Sequence, residues 1–194
     1  MYRYLFAAIA GVSCFQASQV LAQASGDGAQ LLEEARKVAS SVPPKLLAVL
    51  AAEISKGGAE NAINVCKEQA PKMAAAASAE TGWAIRRVSL RNRNPKAVPD
   101  TWERAVLDDF DKRSAAGEKP AGLEKGEIVI EGEKKFYRYM KALPTQDICL
   151  QCHGTTDKLS PAVKAKLQEV YPQDQAIGYG VGEIRGAMTL KRPI

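Results

Sequence analysis

The chain has 194 residues, 27 Lys and Arg against 22 Asp and Glu, a net charge of +5, and a single histidine. That length suits one domain with a sizeable core. The positive excess is mild and spread out, with no Lys/Arg-rich tract interleaved with aromatics, so a nucleic-acid partner is excluded as an expectation.

The N-terminus reads as an export signal. Met1-Tyr2-Arg3 is a short basic start, Leu5 to Val20 is mostly apolar or small, and Val20-Leu21-Ala22 offers a cleavage site after Ala22. The stretch is too short and too broken by Ser and Gln for a membrane span. A lipoprotein cut before Cys14 is an alternative that Gly11-Val12-Ser13 fits poorly, and a retained N-terminal anchor is another. The expected organisation is a signal peptide over 1–22, a flexible leader over 23–29 and one domain over 30–194. No later segment reads as an unbroken apolar span, so a periplasmic or otherwise exported protein with no membrane span is expected.

From Gln30 to Lys56 the pattern is helical, with Pro43-Pro44 expected to interrupt or restart it and Gly57-Gly58 to end it. A second helix is predicted from Ala59 to Gln69, with Ala59, Ala62, Ile63 and Cys66 close to one face. Beyond Pro71, the alanine run 74–77 carries helix to Glu80. Gly82 breaks the pattern, and Trp83 to Leu90 has strand composition. After a polar loop, 91–95, Asp100 with Glu103 forms an approximate capping box for a helix to Ala115. Glu127 to Glu131 and Lys135 to Leu143 alternate on either side of Gly132 and read as an antiparallel hairpin. A helix over Ser160–Val170 and a strand over Glu183–Lys191 follow. The order suggests an α+β domain with an antiparallel sheet.

Cys149-Leu150-Gln151-Cys152-His153 has the spacing of a c-type haem attachment site. Two thiols three positions apart can add to the vinyl groups on one edge of a porphyrin, and the next residue is delivered beneath the ring as an iron ligand. The motif follows an export signal, as attachment outside the cytoplasm requires, and His153 is the chain's only histidine. One covalent haem c is therefore the expected cofactor. A thioredoxin-like CxxC, a zinc site of Cys66, Cys149, Cys152 and His153, and a plain Cys149–Cys152 disulfide are the rivals.

The second axial ligand cannot be another histidine. Cys66, Met73, Met140, Met188, a lysine, water and an open position remain. Met140 and Met188 fall in strands and read as core, whereas Met73 lies on a helical stretch near Cys66. Cys66 is the one thiol left over after two thioethers and a cleaved Cys14, and a thiolate would favour ferric iron. The residues alone leave Cys66 and Met73 open.

Several further segments carry a resemblance. They are 62–66 (Ala-Ile-Asn-Val-Cys) with Ala70-Pro71, 85–90, Arg93-Asn94-Pro95 with Pro99 and Trp102-Glu103, 149–154, Tyr171-Pro172, Asp174, 176–179, and 182–187. The chain resembles a family of exported single-haem c-type sensors with a PAS-like fold, whose members also serve as sensory domains of histidine kinases and cyclase-type proteins. The resemblance implies a PAS-like antiparallel sheet with N-terminal helices and places the family's thiolate ligand on Cys66. Where the family often has Asn-Pro-x-Asn, this chain reads Asn94-Pro95-Lys96-Ala97.

Propionate carboxylates of a buried haem need neutralising cations, and Arg86, Arg87, Arg91 and Arg93 are candidates. Arg86 and Arg87 face opposite sides of a strand, so at most one of them points at a given propionate. Tyr179 is a candidate hydrogen-bond donor near the haem. The expected role is a redox or diatomic-gas sensor that takes CO or NO on reduced iron and signals to a separate protein. A periplasmic electron-transfer cytochrome with a redox partner is the alternative. A haem enzyme such as a peroxidase is disfavoured by the absence of a second histidine.

Overall fold

The structure, a computed structural model, describes residues 13–194, with side chains from Asp27 onward. Residues 1–12 of the expected signal lie outside the described residues, as does the side chain of Cys14. Helix α1 spans Ser13–Asn64, so residues 23–29, expected as a flexible leader, are helical. Continuing an established helix costs little per residue compared with nucleating one.

Pro43 and Pro44 lie inside α1 and do not interrupt it, contrary to the sequence expectation. Ala35, Ala39 and Val42 anchor one face of the helix in the core around the two prolines, and that packing outweighs the lost backbone bonds. The break comes instead at Gly57 and Gly58. Gly58 has φ 82 and ψ 172, a conformation that only glycine takes readily. By length and composition alone the helical segment Asp27–Thr81 is long and apolar enough to cross a membrane, as core helices and signal sequences also are.

Helix resumes after the kink, but Val65–Gln69 forms a π turn before α2, Ala70–Thr81. Helix α2 folds back so that Met73, Ala74 and Ala77 join Val38, Ala39 and Val42 of α1 over the sheet. Gly82, in the left-handed region, caps α2 and leads into β1, Ala84–Val88. Strand β1 ends earlier than expected because the Ser89 amide turns away to Ala97 O at 3.0 Å.

Helix α3, Thr101–Ala115, starts with the reciprocal capping box of Asp100 and Glu103 that the sequence suggested. The hairpin β2, Glu124–Glu131, and β3, Lys134–Pro144, pairs as expected. After the short helix α4, Leu150–His153, and helix α5, Pro161–Val170, the last strand β4, Ile184–Pro193, inserts between β1 and β3. The four-stranded antiparallel sheet has the order β1-β4-β3-β2. The fold is α+β, as the alternation of helical and strand patterns predicted.

Each face of the sheet has its own core. Ile85, Tyr137, Tyr139, Met188 and Leu190 pack under α1 and α2. Val88, Met140, Ala142 and Ala187 pack on Val106, Leu107 and Phe110 of α3. A third cluster joins Ile63 of α1 to Leu159, Val163, Leu167 and Tyr171 beside α5.

Alternation along β4 is broken at one point. Ala142 pairs with Ala187 but Pro144 pairs with Ile184, so β4 carries one extra residue there, a bulge. Gly186 sits in the bulge with φ 139, and a Cβ on it would collide with the Val88 carbonyl oxygen. The extra residue sets Ile184 on the α3 side and turns Arg185 toward the α1 side. Uninterrupted alternation would instead have put Arg185 with Ala187.

Candidate functional site

The Cys149–His153 motif follows the end of β3 through a tight 3-10 turn, 147–149, and then the single turn of α4. Thr145 ties this segment to the start of β4: its amide donates to Glu183 O at 2.8 Å, and the Gly182 amide donates to Thr145 O at 2.8 Å. The motif therefore hangs between the two central strands of the sheet.

His153 is 7% exposed. Its Nδ1 lies 2.6 Å from Ala176 O. A carbonyl only accepts, so Nδ1 carries the proton and donates, and Nε2 keeps its lone pair. Burial, followed by Arg185 and Arg93, holds the imidazole well below its ordinary pKa. The ring is thus neutral and equipped as a metal ligand.

The loop after α5 closes over the C-terminal end of α4. The Gly178 amide donates to Gly154 O at 2.8 Å and the Tyr179 amide to His153 O at 2.9 Å, pairing carbonyls the short helix cannot satisfy itself. Arg93 braces the same loop. Its Nε donates to Asp174 Oδ2 at 2.9 Å, and its Nη2 donates to Cys152 O at 2.6 Å and to Ala176 O at 3.3 Å. Arg93, one propionate candidate from the sequence, is therefore a strut between the motif and the loop. Arg91 donates to Ile177 O and lies over the Tyr179 ring at 4.3 Å. Tyr179 is buried and meets the His153 ring edge-on, centroids 6.4 Å apart, so it reaches the site as a packing partner of the histidine.

The two motif thiols sit differently. Cys152 packs beside the Ile63–Tyr171 cluster, 3.9 Å from Ala59 O, and burial pushes its thiol up to about 11. Cys149 lies at the turn into α4, in the neighbourhood of Arg87 and Arg185. Cys66 stands on the π turn, a geometry found frequently at functional sites. Cys152, Arg87, Arg185 and Tyr171 are its neighbours, which brings the π turn to the same place as the motif. Met73 packs instead against the α1 core, and Met140 and Met188 are buried in the two sheet cores.

Arg86 and Arg87 do point to opposite sides of β1. Arg86 is not brought to the site: its guanidinium pairs with Glu103 on the α3 side and reaches Val98 O. Arg87 faces the motif, and its Nη2 donates to Arg185 O at 3.3 Å. Arg185 was not singled out from the sequence, because strict alternation sets it on the wrong face; the adjacent Gly186 was the available signal for a bulge.

Cys66, Cys149 and Cys152 are free thiols. Among the described residues no group of three His, Cys, Asp or Glu side chains is placed to hold a bare metal ion, so these residues build no zinc cage. The expected haem fits better. It needs a neutral histidine with a free Nε2, thiols on one turn, and cations for its carboxylates, and the buried Nε of Arg87 has no partner in the protein.

A family model described as Tll0287-like (Tll0287) matches residues 16–193. Among solved structures, the chain is similar to one titled the crystal structure of the cyanobacterial heme-protein Tll0287. The identity is 29% and the TM-score 0.53, over 66% of this chain and 71% of that one. A search of the curated proteins finds no match.

Proposed function

The chain belongs to the Tll0287-like family, and we propose that it is an exported protein with one haem attached through Cys149 and Cys152, used as a redox or diatomic-gas sensor. His153 and Cys66 would be the residues that hold its iron. Haem binding draws support from the similar solved structure, which is described as a heme-protein. The observation that carries the reading is the bond from His153 Nδ1 to Ala176 O, since it leaves Nε2 free beside two thiols at the attachment spacing.

When bound, a haem supplies a one-electron couple and, once an axial position opens, a place for CO or NO. The chain supplies the rest. Ala176 and Arg93 fix the histidine, so that side stays constant. Cys66 belongs to a π turn, a geometry frequent at functional sites, and would hold the iron through its Sγ. A bound haem would make the hold on Cys66 depend on the charge of the iron, and because Val65–Gln69 leads through α2 directly into β1, this segment would serve as the two-state element that such a change biases. The signal passes to a separate periplasmic signalling protein, and no catalytic turnover is involved.

Optical and EPR spectra of the purified haem protein in both oxidation states, alongside Cys66→Ala, test this. A thiolate signature lost in the variant, with CO binding to the reduced wild type, is expected. An unchanged spectrum in Cys66→Ala would remove Cys66 as the ligand. Inertness to CO and NO in both states would favour an electron carrier.

A further inference from the structure

Resting on the haem reading, we infer that Arg87 and Arg185 together form the cationic seat for the two propionate carboxylates of the haem. Arg36, Arg86, Arg93, Arg113, Arg138 and Arg192 each meet a carboxylate within the protein. Among the described residues four arginines have none: Arg91 and Arg104 are exposed, whereas Arg87 and Arg185 are half-buried and held beside each other by the bond from Arg87 Nη2 to Arg185 O. The Arg87 Nε is buried with no partner at all.

Two neighbouring guanidiniums withdrawn from water without a counter-ion are unfavourable, and burial followed by mutual repulsion lowers the pKa of Arg87 to about 9. The bulge at Gly186 is what delivers Arg185 to this side, at the expense of a left-handed backbone conformation. The site's own thiols do not supply enough negative charge. Cys149 and Cys152 become neutral thioethers on attachment, and a Cys66 thiolate carries a single charge already given to iron. A group bearing two carboxylates matches the deficit, and guanidinium forks bind carboxylates in bidentate fashion.

The test compares haem-loaded protein with haem-free protein expressed without attachment machinery, for Arg87→Met, Arg185→Met and the corresponding Lys variants. In loaded protein each Met variant should lower Tm by about 2–4 °C and lower the reduction potential, with Lys in between. In haem-free protein the same Met variants should leave Tm unchanged or raise it, because a repulsive pair is relieved. Equal Tm losses in both forms would show a structural role and overturn the assignment, as would unchanged potentials. Inorganic phosphate is the probe for a free anion: stabilising the loaded protein as much as the haem-free one would overturn it too. Covalent haem is read separately from the protein mass. A wild type without haem would sink the functional reading and this inference together, whereas attached haem with silent arginines would sink the inference alone.

Discussion

The His153 imidazole donates from Nδ1 to the Ala176 carbonyl, and the loop bearing that carbonyl is clamped by the Arg93–Asp174 ion pair, whose side chains are 10% and 11% exposed. Arg93→Leu leaves Asp174 buried and uncompensated and also removes a donor from Cys152 O. The expected loss is about 3 kcal/mol in urea denaturation. Arg93→Leu/Asp174→Leu should recover part of it, because no lone charge remains; a double variant as unstable as the single one would contradict this.

Gly186→Ala tests the bulge. The left-handed φ alone costs an alanine about 1–3 kcal/mol, and the added methyl meets the Val88 carbonyl oxygen. Reduced stability should come with misplacement of Arg185, so haem-loaded Gly186→Ala should shift its Soret band, whereas Gly82→Ala, with nothing near its Cβ, should lower Tm with the Soret band unchanged.

Arg86→Met separates the two neighbouring arginines of β1. Glu103, 3% exposed on its side chain, loses one partner and keeps Arg138 at 3.4 Å. A loss of about 1 kcal/mol is expected, with optical spectra identical to wild type. A spectral change would mean that Arg86, and not only Arg87, reaches the haem.

Asp100 gives an acid limb to stability. Burial works to raise its pKa but is outweighed by the Glu103 amide and by Arg138, so the carboxyl is held below its ordinary value. A carboxyl depressed in the folded state stabilises fully above the unfolded value of about 3.9 and loses that contribution as pH falls through the folded value. Stability should therefore decline from pH 5 to pH 3. Asp100→Asn, which keeps a capping oxygen, should flatten part of that slope.

The sequence carried the parts of this architecture that depend on local chemistry. The Asp100 box, the hairpin about Gly132, the Ser160-capped α5 and the attachment motif all use short-range spacing, and all are where the pattern put them. What it did not carry depends on distant partners. The helix persists through Pro43-Pro44 because of packing on Trp83 and Ile85, some 40 residues later. Arg93 finds Asp174 across 81 positions. Arg185 changes face through a one-residue insertion that period-2 reading cannot see, and a π turn leaves no periodic trace at all.

The π turn also fixes a phase. It fits one more residue into its span than an α-helix would, and each residue advances a helix by about 100°. Were Val65–Gln69 to take regular α geometry with every residue retained, everything before it would swing through about that angle relative to α2, whereas deleting one residue such as Lys67 would let the regular ladder close with the phase of the flanking segments kept. The π geometry of this turn thus acts as an indexing pin, and it decides which side of the N-terminal helix looks at the motif.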